Sequence, residues 1–229
     1  MRRQTVREDE IRMKKKLSLA ALFFALFVAL IAVVTTVDVA AIGPQGTKIG
    51  LSHLNQAVHE ALGENMGFLY SFTKYLGYLA ILLAVCVLGV CAVQLIYRKS
   101  LQKVDKALLG LAVLYVAVGV LYVLFEKVII NYRPMIMPGE TAPEASFPST
   151  HTMLFCTVLG SAAMVSGRYL KDERKALLVK VACGVLLILG VAFRLGSGVH
   201  WLTDICGGVL ISSALLLAFS AYLEKIDGK

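Results

Sequence analysis

Six stretches of this chain run for about 20 residues with little charge, the length a helix needs to cross roughly 30 Å of hydrocarbon. They fall at about 17–37, 68–97, 107–130, 151–167, 176–195 and 201–223. With 58% of the residues hydrophobic and only 17% charged, a soluble core could not hide so many such segments. Its helices would each need a polar outer face. The expected fold class is therefore all-α integral membrane, with six transmembrane helices forming one domain over residues 17–229 behind a basic segment at 1–16.

The net charge of +8 could suggest a nucleic-acid partner, but its placement argues for a membrane surface. Basic residues concentrate in "MRRQTVREDEIRMKKK", "RKSLQKVDK", "RYLKDERK" and the tail "EKIDGK", which together hold 17 of the 23 Lys and Arg. The longer loops 38–66 and 131–150 hold only Lys48 and Arg133. The positive-inside rule then predicts both termini in the cytoplasm. A nucleic-acid site would need a basic patch with stacking aromatics, and no such patch is seen.

Between the first two spans, "LSHLNQAVHEALGENMGFLYSF" carries apolar residues at helical spacing, which predicts an interfacial helix. His53 and His59 in it are six residues apart, off any common face, and read as surface histidines. The five cysteines lie inside apolar spans and read as small buried hydrophobes. The first span lacks a small-residue cleavage site before Asp38 and reads as a retained anchor.

Six ionisable residues stand apart. Lys127, Arg133, His151, Arg194, His200 and Asp204 all fall at one membrane depth, at the ends of three different spans. Charges near hydrocarbon are costly and mark sites. Three cations can surround a multiply charged anion, and Arg offers a donor fork matched to phosphate oxygens. "PST" leads into a helix N-terminus, which favours anions, and Ser149 and Thr150 there can cap and donate. His200 and Asp204 are i and i+4, so the carboxylate can orient the imidazole as a directed base or nucleophile. His151 remains as a proton donor. Trp201, beside His200, reads as a membrane-belt anchor.

At these residues the sequence resembles the type 2 phosphatidic acid phosphatase superfamily, whose motifs are K-x6-R-P, P-S-G-H and S-R-x5-H-x3-D. The third matches "FRLGSGVHWLTD" at Arg194, His200 and Asp204, with Phe193 replacing serine. The second matches "PSTH" at 148–151, with Thr150 replacing glycine. The first departs: five residues, not six, separate Lys127 from "RP", and the family's lysine slot holds Glu126. An end to the helix near Asn131 and a tighter turn would restore Lys127 to the site.

The resemblance implies a metal-independent lipid phosphate phosphatase, without cofactor, acting at the extracytoplasmic face of the cell membrane. Its substrate would be undecaprenyl diphosphate, phosphatidylglycerophosphate or phosphatidic acid. It implies His200 as nucleophile through a phosphohistidine, Asp204 as its orienting partner and His151 as acid and base. Phosphate binding would fall to Lys127, Arg133, Ser149, Thr150 and Arg194. A lipid phosphotransferase with the same intermediate is the nearest alternative. From other classes, an anion transporter would show midplane polar residues or broken helices in paired halves, and a silent lipid sensor would not need the His–His–Asp set.

Overall fold

The computed structural model describes residues 2–228, with side chains from Asp9 onward. Of the basic segment 1–16, Met1 and the side chains of residues 2–8 lie outside the described residues. Seven α-helices follow in order: α1 (Arg2–Thr36), α2 (Ser52–Leu62), α3 (Phe68–Arg98), α4 (Lys106–Lys127), α5 (Thr150–Tyr169), α6 (Glu173–Gly196) and α7 (Leu202–Asp227). Asp105 and Asp172 cap α4 and α6, each accepting hydrogen bonds from two first-turn N–H groups.

Five of these helices are long and apolar enough to cross a membrane: α1 from Asp9, α3, α4, α6 and α7. α5 carries more polar residues because protein, not lipid, surrounds it. It packs against α3, α4, α6 and α7. Most of its buried hydroxyls find partners inside the bundle: Ser161 Oγ lies 3.0 Å from the Tyr115 hydroxyl, and Ser166 donates to the Ala163 carbonyl, while the Thr157 hydroxyl is buried without one. A buried hydroxyl without such a partner would cost stability.

α1 runs along α7, and Phe27 of α1 stacks on Phe147 at 5.9 Å and meets Phe125 edge-on at 5.8 Å. This aromatic triad ties α1 and α4 to the segment that leads into α5. At the far end, Lys16 binds Glu224 and Ser220, each at 2.7 Å. α2 is pinned to the start of α7 by Asn55, which is fully buried. Its amide donates to the Gly50 carbonyl and Thr203 hydroxyl and accepts from the Thr203 N–H.

Four sequence expectations change. α4 ends at Lys127, with Val128 extended, rather than near Asn131. Tyr132 instead pairs with Ala145 in an antiparallel bridge, the backbone region that Pro134 imposes on its predecessors. Trp201 is no membrane-belt anchor: it is 3% exposed and donates its indole N–H to the Tyr132 carbonyl at 2.7 Å. His59 tilts onto Trp201 at 5.3 Å and is largely covered, whereas His53 stays exposed on Asp38. Among the cysteines, all free, Cys86 and Cys206 are exposed on the bundle surface.

Candidate active site

The N-terminus of α5, the last turn of α6 and the start of α7 meet at one end of the bundle, beside the extended segment that follows α4. Small residues allow the approach. A Cβ on Gly208 of α7 would lie 3.0 Å from the Ser149 carbonyl and 2.9 Å from Thr152, so only glycine lets α7 sit this close to α5. The Ser149 N–H donates to the Asp204 carbonyl at 2.9 Å and fixes the register of the two helix starts.

Arg194, in the last turn of α6, is 1% exposed. Its Nη2 lies 3.1 Å from His200 Nε2 and 3.4 Å from His151 Nδ1, and its Nη1 donates to Thr73 at 3.4 Å. The Tyr70 ring lies 5.7 Å away. Among the described residues Arg194 has no carboxylate partner, and its Nε–H is unpaired. A buried guanidinium without a counter-ion is costly, a cost that an anion brought beside it would relieve.

Guanidinium groups only donate, so the ring nitrogens they approach must be lone pairs. His200 Nε2 faces both Arg194 and Arg133, the latter at 3.4 Å. Its proton therefore sits on Nδ1, which lies 3.4 Å from Asp204 Oδ2. The Trp201 N–H holds the same oxygen at 3.0 Å. Burial, then the charges of Arg194 and Arg133, hold the His200 imidazole well below its ordinary pKa, so it stands neutral. A neutral, oriented imidazole whose lone pair points at two cations, where an anion would be drawn, has the form of a nucleophile.

Asp204 has support the sequence did not announce. The side chains of Asn131 and Ser146 face its carboxylate. Ser146 donates its N–H to the Asn131 carbonyl at 2.9 Å, so the two come from adjacent extended segments. Asp204 Oδ1, Asn131 Nδ2 and Ser146 Oγ are all buried without a completed hydrogen bond.

The His151 ring lies against Gly77 of α3, where an added Cβ would stand 2.8 Å from Cδ2. Thr150 opens α5, and its N–H and that of His151 have no partner within their own helix. Ser149 is fully buried as the cap of α5; its Oγ accepts from the Thr152 N–H and hydroxyl, so it braces the helix start.

Arg133 forms an ion pair with Glu144 at 2.9 Å, although the Nε–H is not well aimed along it, and donates to the Val199 carbonyl at 3.3 Å. Lys127 does not join the cluster. It is exposed at the end of α4, and Glu126 lines the cavity in its place. The helix continues through both residues, and one residue step turns the side chain by about 100°.

The cavity holds about 390 Å³. Arg133, Glu144, Thr150, His151 and His200 supply its polar wall, while Phe125, Ile129, Phe147 and Pro148 supply an apolar one. An apolar groove between α4 and α7, around Gly110, Phe219 and Tyr222, contains no imidazole and has almost no polar surface.

A family model described as the PAP2 superfamily matches residues 106–227. No curated protein matches the chain. The crystal structure of a transmembrane PAP2 type phosphatidylglycerolphosphate phosphatase from Bacillus subtilis is similar over 92% of this chain and 97% of that one, with a TM-score of 0.60 and 23% identity. That likeness is one of fold.

Proposed function

The chain belongs to the PAP2 superfamily and is a multi-pass membrane phosphoric ester hydrolase, and from that premise we propose that it dephosphorylates a membrane lipid through a phosphohistidine on His200. The observation that carries this reading is the buried Arg194 guanidinium, set between two imidazoles with no carboxylate partner among the described residues.

In the proposed reaction the phosphoryl group takes the place between His200, Arg194 and Arg133. His200 Nε2 attacks phosphorus, the bond to the lipid oxygen breaks, and His151 in its protonated form delivers a proton to that oxygen. When phosphate draws the Arg194 Nη2 donor, His151 Nδ1 is released from it and can carry the proton. Water then attacks the phosphohistidine, giving its proton to His151, and inorganic phosphate leaves His200 with its lone pair restored. Asp204 stabilises the positive imidazole in between. Arg194, Arg133 and the N–H groups at Thr150 and His151 neutralise the charge on the transferring group, where preorganised donors lower the barrier most.

The lipid would be an isoprenoid diphosphate, phosphatidylglycerophosphate or phosphatidic acid, its tail following the apolar wall of Phe125 and Ile129. In this reading α5 also crosses the bilayer as a sixth span, α2 lies in the interface, and the basic flanks place the termini in the cytoplasm and the cavity on the extracytoplasmic side. The test is phosphate release from these lipids by purified protein in detergent, with an alkaline quench to trap phosphohistidine. His200→Ala should lose activity by at least about a thousandfold. Undiminished turnover in that variant would remove His200 as the nucleophile.

A further inference from the structure

Glu126 stands where a phosphate cavity should have a cation. Because α4 runs unbroken through Lys127, it is Glu126 that meets the cavity, and the adjacent lysine points elsewhere. Its hydrogen-bond neighbour is the Tyr122 hydroxyl, 3.5 Å from Oε1, one turn earlier on the same helix. Glu144, by contrast, is engaged with Arg133 at 2.9 Å. Glu126 has no ion pair among the described residues, so the cavity wall presents one carboxylate free to accept.

A free carboxylate repels an approaching phosphate unless the substrate brings a donor to it. Position decides which part of the substrate it meets. The phosphoryl group belongs between His200 and Arg194, whereas Glu126 shares its wall with Tyr122, Phe125 and Ile129. That wall faces the leaving group and its tail.

Resting on the phosphatase reading above, we propose that Glu126, backed by Tyr122, is a specificity-determining residue. It accepts a hydrogen bond from a hydroxyl or ammonium group carried by the leaving alcohol beside its ester oxygen. The enzyme therefore selects lipid phosphates with a polyol or amino-alcohol leaving group over those that leave as diacylglycerol or as an isoprenoid monophosphate. In the first class the donor replaces the water that Glu126 loses; in the second the carboxylate is desolvated beside an anion with nothing in return.

The experiment compares kcat/KM for phosphatidylglycerophosphate, whose leaving group carries a free glycerol hydroxyl, with that for phosphatidic acid, whose leaving group has none. Wild type, Glu126→Gln and Glu126→Lys are measured in the same mixed micelles. Glu126 is on the surface, and size-exclusion profiles serve as the check that each variant folds. The expected result is a wild-type preference for phosphatidylglycerophosphate that shrinks about tenfold in Glu126→Gln and inverts in Glu126→Lys, chiefly through KM. An unchanged ratio in both variants, or a wild-type preference for phosphatidic acid, overturns the proposal while leaving the phosphatase reading in place. Wild-type protein inert on both lipids, under conditions that support other lipid phosphatases, overturns the phosphatase reading and this proposal with it.

Discussion

Arg194 Nη2 stands 3.1 Å from His200 Nε2, and the same nitrogen lies 3.4 Å from His151 Nδ1. One buried guanidinium nitrogen thus serves the two imidazoles assigned to attack and to proton transfer. Replacing Arg194 with Ala should lower kcat/KM for phosphate release by about 10² to 10³-fold, the usual loss when one preorganised charge-stabilising donor goes. Arg194→Lys keeps the charge but cannot fork between the two rings, and should recover only a small part of the loss. Kinetics on one lipid phosphate decide the point; near wild-type turnover in Arg194→Lys would show that charge alone suffices.

Ser146 is two residues before the "PST" signal, and its hydroxyl faces Asp204. Ser146→Ala should reduce kcat several-fold with KM nearly unchanged, because the carboxylate loses a support rather than the substrate a contact. Ser146→Thr, which keeps the hydroxyl, should restore part of kcat. A change confined to KM would place Ser146 in binding instead.

Gly77 sets the position of His151. In Gly77→Ala the new methyl would lie 2.8 Å from Cδ2, so the ring must tilt toward the cavity. A displacement of this kind, near 1 Å, can cost about 10²-fold in rate. The expectation is a large fall in kcat with little change in the thermal midpoint, read by phosphate release and by intrinsic fluorescence on heating. Full activity would mean that the ring has room to spare.

The His200 environment has a pH signature. Its pKa is held well below 6.5 by burial and by the neighbouring guanidinium charges, whereas in the unfolded chain it titrates near its ordinary value of about 6.5. Below that value the unfolded state binds a proton that the folded state refuses. The stability from neutral His200 is therefore fully present above about pH 6.5 and is lost as pH falls toward the folded pKa, by at most about 1.4 kcal/mol per pH unit. Between pH 7 and pH 5, wild-type midpoints should fall more steeply than those of His200→Gln; parallel curves would contradict a neutral, buried His200.

The sequence determined the helices and which ionisable residues stand at their ends. Hydropathy placed α3, α6 and α7 within a few residues, since the tendency of an apolar run to become a helix is a property of a short window. The motif residues His151, Arg194, His200 and Asp204 were also legible, because each pair within a motif is related by helical spacing or by chain order.

The remaining features of the site depend on contacts between distant segments. The stopping point of α4 chose Glu126 over Lys127 for the cavity wall, and the Tyr132–Ala145 bridge drew the chain straight beyond it. The same extended segment covers Trp201, so an indole that looks like an interface anchor becomes a buried strut. Asn131, Ser146 and Gly77 act on the site across the bundle. Their roles follow from packing between elements far apart in the chain, which no local pattern of residues encodes.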